Sequence, residues 1–176
     1  MDEAIGCYRE ALEINPKDIN GRNNLGRSLI EKGWQLVKNP DPKLRDPKRA
    51  VELAKEAVEL TPNSRMAWQN LGWILYRAGN WKASIEALEK SCKLQNGGDA
   101  GQWIVLALAH AKLAAQEGQS EEEREHHKAE ARRLYQQADE DIDKKWPVRP
   151  NYEKGQQIWD FRLEARKLLG VKEIKK

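Results

Sequence analysis

Residues 68–91 read Trp68-Gln-Asn-Leu71-Gly72-Trp-Ile-Leu75-Tyr-Arg-Ala-Gly79-Asn80-Trp81-Lys-Ala-Ser84-Ile-Glu-Ala-Leu88-Glu-Lys-Ser91. Apolar or small residues recur at 68, 71, 72 and 75, and again at 81, 84, 88 and 91. That is helical spacing on both sides of a Gly79-Asn80 break. The stretch predicts two helices folded back on each other through a short turn. Gly72 in the first helix and Ser84 and Ser91 in the second are small, so the two backbones can approach closely.

The pattern recurs along the chain. Asn24-Leu25-Gly26-x-x-Leu29-x-x-x-Gly33 and Trp103-x-x-Leu106-Ala107-x-x-His110 read as further first helices. Ala50-x-x-x-Ala54-x-x-Ala57, closed by Pro62, and Ala131-x-x-x-Tyr135-x-x-Ala138 read as their second helices. Ala4-x-x-x-Tyr8-x-x-Ala11, closed by Pro16, is a second helix standing alone. A fixed internal period of this kind marks a repeat architecture. The units are a half repeat at 1–18, repeats at 19–64, 65–99 and 100–145, and a capping segment at 146–176. The spacing from Gly33 to Ala50 is 17 residues against 5 from Gly79 to Ser84, so the first repeat carries an insertion at 34–46. The third repeat carries one at 116–127. Asp46-Pro47 is an N-cap followed by a proline at the first helical position, and Ser120-Glu-Glu-Glu123 is a capping box.

These residues resemble the tetratricopeptide repeat, whose pattern runs W-x2-L-G-x2-Y, then A-x3-F, then P. The departures are Leu75 for the tyrosine, Leu88 for the phenylalanine and Asn96 for the closing proline. The resemblance implies an all-α, right-handed α-solenoid of antiparallel helix pairs with about eight helices. The Pro40–Pro47 stretch and the helix after it are similar to repeat segments of large bacterial multidomain proteins, some linked to serine/threonine kinases. Because Met1 opens on a second helix, this reading takes the chain as part of a larger protein.

Composition points the same way. Ala, Glu, Leu, Lys and Arg make up about half of the 176 residues, the balance of helix-rich protein. Val, Ile and Thr number only 17, too few for a large sheet, so α/β barrels, dinucleotide-binding folds and β-sandwiches are excluded. No apolar run reaches the roughly 18–20 residues of a membrane span. Two isolated cysteines, Cys7 and Cys92, argue against a disulfide framework and for a reducing, cytoplasmic setting. A net charge of +3 gives no overall pull toward nucleic acid, although residues 144–176 hold 10 basic against 4 acidic side chains.

Candidate chemistry is sparse. Gly21-Arg-Asn-Asn-Leu-Gly26-Arg27-Ser28 approaches a phosphate-loop motif, but no strand precedes it and arginine replaces lysine. His126 and His127, beside Glu122, Glu123 and Glu130, read as a solvated charged face, because neighbours on a helix point apart. His110 reads as a packed core histidine, and Cys7 and Cys92 as buried small hydrophobes. No catalytic residue, metal site or cofactor is assigned, and the chain is read as a non-enzyme.

In the tetratricopeptide family the first helix of each repeat lines a concave groove. Carried onto this chain, the resemblance places Asn20, Asn23, Asn24 and Arg27 on that face, then Gln69, Asn70, Trp73, Tyr76 and Arg77, then Lys112. Trp73 and Tyr76 fall outside the packing pattern and read as exposed ligand contacts. The lysine and arginine that some members use to grip a C-terminal carboxylate are replaced here by Gly101 and Val105. The expected function is a non-catalytic scaffold, a monomer or weak oligomer, holding a peptide or a partner helix in its groove. The alternatives are a regulatory part of a larger bacterial signalling enzyme such as a serine/threonine kinase, and nucleic-acid binding through the basic C-terminal segment.

Overall fold

A computed structural model describes residues 2–146 and 148–171. The five C-terminal residues, which hold three of the ten basic groups of the tail, lie outside the described residues. Among the described residues there are eight α-helices, one short 3-10 helix and no strand. They form two compact units, Met1–Gln95 and Asn96–Lys176.

The first unit contains α1 (Asp2–Ile14), α2 (Ile19–Lys38), the 3-10 helix Pro42–Leu44, α3 (Pro47–Leu60), α4 (Arg65–Arg77) and α5 (Trp81–Leu94). Helix α2 packs on α3 and α4 on α5, with α1 against α2 and α3 against α4. Helix starts are chemically specified. The Asp18 carboxylate accepts from the Asn20 N–H at 3.0 Å, Asp46 from the Arg49 N–H at 2.9 Å ahead of Pro47, and Ser64 from the Ala67 N–H at 3.3 Å. Each satisfies a donor the helix itself leaves open.

Close approach of α4 and α5 depends on the small residues. A Cβ on Gly72 would stand 2.5 Å from Leu88 Cγ. Ser84 and Ser91 are fully buried, and their hydroxyls donate to the carbonyls of Gly72 (2.7 Å) and Arg65 (2.9 Å). Gly26 is less constrained, since its added Cβ would meet the Ala57 carbonyl at an ordinary 3.6 Å.

The first insertion extends α2. Trp34, Leu36 and Val37 pack against the cluster of Ala50, Val51, Ala54, Leu71, Ile74 and Leu75. The chain then turns at Pro40 and Pro42, and the Asp46 N–H donates back to the Leu36 carbonyl at 3.2 Å.

The second unit contains α6 (Ala100–Ala114), α7 (Glu121–Lys145) and α8 (Glu153–Leu169). Helix α6 is buried nearly all round and packs on both α7 and α8. Its start carries a capping box that sequence reading missed: Asp99 accepts from the Gln102 N–H, and Gln102 returns the bond to the Asp99 N–H at 2.8 Å. Ser120 and Glu123 form the expected box at the head of α7. In α8, Ile158, Phe161 and Ala165 are buried, and the helix ends at Gly170 in the left-handed conformation, φ 68°. Arg162 is 2 % exposed and donates to Asp139 (2.6 Å) and Asp143 (2.5 Å), while Arg166 donates to the Tyr135 hydroxyl (2.9 Å). Five polar side chains thus stitch α8 onto α7 where apolar burial ends.

Candidate functional site

Helix α2 divides its residues between two faces. Leu25, Leu29 and Gly33 are buried on one side, while Asn20, Asn23, Arg27 and Glu31 are exposed on the other. Asn24 is half-buried beside them. Spacings of three and four residues put 20, 23, 24 and 27 on one stripe. The side chains of Asn20, Asn23, Asn24 and Arg27 make no hydrogen bond or ion pair among the described residues. Three amides and one guanidinium therefore stand side by side with their donors and acceptors directed to solvent.

Helix α4 behaves differently. Gln69, Trp73 and Tyr76 are 1 %, 3 % and 4 % exposed, so the expectation that the two aromatics stand open to a ligand does not hold. From Leu71 to Tyr76 every residue is buried. One physical reason is the insertion: it carries α2 far enough to lay Trp34 edge-on against Trp73, with ring centres 6.2 Å apart. Lys38 stands over the Trp34 ring at 4.6 Å. Asn70 is half-buried and already engaged, its Oδ1 accepting from Trp34 Nε1 (2.9 Å) and its Nδ2 donating to the Met66 carbonyl (2.8 Å). Gln69 Oε1 accepts from Arg65 at 3.3 Å, while its buried Nε2 has no hydrogen-bond partner among the described residues. Arg77 is exposed and lies over the Tyr76 ring at 5.6 Å. Lys112 is half-buried and belongs to the second unit.

Other expectations are also revised. The phosphate-loop-like stretch from Gly21 to Ser28 lies wholly inside α2. Cys7 is exposed, on an outer face of α1 that also shows Ala4, Ala11 and Ile14, and Cys92 is half-buried. Gly101 and Val105 are buried in α6. The two adjacent histidines are not simply a solvated pair, because His127 turns onto His110. Their Nδ1 atoms lie 2.9 Å apart and their ring centres 5.0 Å apart. His126 stands 5.6 Å from the His127 ring. Burial pushes the His110 pKa down to about 4, and the adjacent His127 adds to the shift. Among the described residues no group of three or more His, Cys, Asp or Glu is arranged to hold a metal ion. Nor is any described helix long and apolar enough to cross a membrane.

Residues 43–99, spanning α3, α4 and α5, match the tetratricopeptide repeat family. Over that stretch the chain is similar to tetratricopeptide repeats. It is also 26 % identical over 95 residues, 54 % of its length, to human tetratricopeptide repeat protein 7A, of which it spans only 10 %. Among solved structures it is similar in fold to the crystal structure of MamA. That match has a TM-score of 0.54 at 20 % identity and covers 96 % of this chain and 84 % of the other. At that identity the likeness speaks for the fold, an α-helical repeat, and leaves the ligand to be argued from this chain's own residues.

Proposed function

We propose that the chain is a non-catalytic protein-interaction module that holds an extended peptide or a partner helix against α2. The observation that carries this reading is the stripe of Asn20, Asn23, Asn24 and Arg27, four polar side chains on one helix face without intramolecular partners. Amides can both donate to and accept from a peptide backbone, so a row of them suits an extended main chain. Arg27 adds a planar cation fitted to a carboxylate on the bound segment. Repeats of this type serve as protein-binding scaffolds, and the match over residues 43–99 supports placing this chain among them.

The test is affinity capture with quantitative mass spectrometry, comparing the wild type with an Asn20→Ala, Asn23→Ala, Arg27→Ala triple variant of matched melting temperature. Loss of a captured protein from the triple variant supports the reading. Retention of every captured protein at wild-type level overturns it.

A further inference from the structure

His110 lies apart in sequence from the adjacent His126 and His127, but all three meet at one place in the second unit. His110 is on α6, four residues before its last residue, Ala114. His126 and His127 are in the second turn of α7, within the segment that lengthens this helix beyond the repeat pattern. His110 is 9 % exposed and His127 is half-buried, and their Nδ1 atoms approach to 2.9 Å. At that distance one proton must lie between the two nitrogens, with one ring donating and the other accepting.

We propose that the His110–His127 pair is an acid-operated latch, holding the first turns of α7 on α6 until both rings are protonated. The proton inventory sets its behaviour. In the neutral pair one Nδ1–H donates to the other Nδ1, and each ring keeps its Nε2 for other use. A first added proton goes to the free Nε2 of the donating ring, and the bridge survives as a stronger, charge-assisted bond. A second proton must go to the accepting Nδ1. The bridge is then lost, because two N–H groups face each other and two positive rings are in contact.

The surroundings resist the second proton without preventing it. The charges acting most strongly on His110 stand on α7: Glu130 favours its protonation, while His127, His126 and Arg133 oppose it. Glu130 is itself engaged by Arg133 at 2.8 Å, so it is poorly placed to neutralise the pair. The Glu123 carboxylate favours protonation of His127, and it is held in the capping box with Ser120. On α6 the nearest ionisable neighbour in sequence is Lys112, a cation. Helix α8, also packed on α6, supplies none of the charges that act most strongly on His110.

Both rings are held below the ordinary histidine pKa in the closed pair, so opening takes up at least one proton, and between the ordinary value and about 4 the opening constant grows at least about tenfold per pH unit. Hydrogen exchange followed by mass spectrometry on the whole chain reads this directly, after correction for the intrinsic pH dependence of exchange. In the wild type, peptides covering residues 116–128 should lose protection at least roughly twentyfold between pH 7 and pH 5. Peptides from α3 and α4 should not change. His127→Gln should reduce the effect without removing it, since a glutamine amide can donate to neutral His110 or accept from protonated His110, while burial alone still opposes protonation of His110. His126→Gln should behave as the wild type. Acid-induced opening at 116–128 that persists unchanged in His127→Gln would overturn the proposal, as would a loss of protection shared by all helices.

Discussion

The hydroxyl of Ser84 donates to the carbonyl of Gly72 at 2.7 Å across the α4–α5 pair. This bond requires that Gly72 have no side chain and Ser84 a short one, and both residues are buried. It gives the helix pair a fixed register, because sliding α5 by one residue would bury the hydroxyl without an acceptor.

Glycine substitutions should separate the tight helix contact from the loose one. Gly72→Ala puts a methyl 2.5 Å from Leu88 Cγ and should cost about 1–3 kcal/mol through overpacking. Gly26→Ala meets only ordinary contacts and should gain up to about 1 kcal/mol of helix propensity. Paired denaturant melts check the difference in sign.

The buried Trp73 should matter more to stability than the half-buried Trp68. Trp73→Ala should cost about 3–5 kcal/mol, with a cavity left beside Trp34. Trp68 packs at the edge of the same cluster and donates its ring N–H to the Pro62 carbonyl at 2.8 Å. Trp68→Ala should cost about 1–3 kcal/mol, below the range for a wholly buried tryptophan because Trp68 is only half-buried. Equal losses in chemical denaturation would contradict this ordering.

Asp139→Ala should destabilise the second unit by about 2–3 kcal/mol. It removes one partner of nearly inaccessible Arg162 and leaves Asp143 as the other. The cost falls below the 3–5 kcal/mol typical of a wholly buried pair, since Asp139 is 26 % exposed. Burial acts to raise the Asp139 pKa, but hydrogen bonds from Arg162 and Tyr135 outweigh it and hold the carboxyl below its usual value. Its contribution is therefore present above the ordinary aspartate range and is lost as pH falls through the lowered pKa. Thermal melts of wild type and variant between pH 7 and pH 3 check both the size and the direction.

His110 should make stability depend on pH in the same direction. Its pKa is depressed from 6.5 to about 4, so the unfolded chain binds the proton more readily. The neutral ring's contribution is complete above about pH 6.5 and declines as pH falls toward 4, by about 3 kcal/mol at most. His110→Phe should flatten that part of the stability profile, measured by urea unfolding at pH 7, 6 and 5.

Much of the helical framework was legible because it rests on local chemistry. Asp46-Pro47 and Ser120 to Glu123 announce helix starts through their own side chains, and both caps form. Small residues at 72, 84 and 91 mark close contacts because only small residues fit there. What could not be read concerns which element covers a given face. A helical period separates core from surface for one neighbour, whereas α4 is covered by several, including the prolonged end of α2, so Trp73 and Tyr76 are buried. The meeting of His110 with His127 depends on how the α6–α7 connection folds, and spacing in the sequence holds no trace of it. Asn20, Asn23, Asn24 and Arg27 were legible as a face because one helix alone places them there.

The proposed function requires that this face of α2 hold a protein ligand. Site-specific photo-cross-linking tests it most directly, with a photoreactive residue placed at Asn23 or, as a control, at exposed Lys55 on α3. A cross-linked partner is expected from position 23 and none from position 55. Equal yields from both positions, or cross-links from position 55 alone, would contradict it.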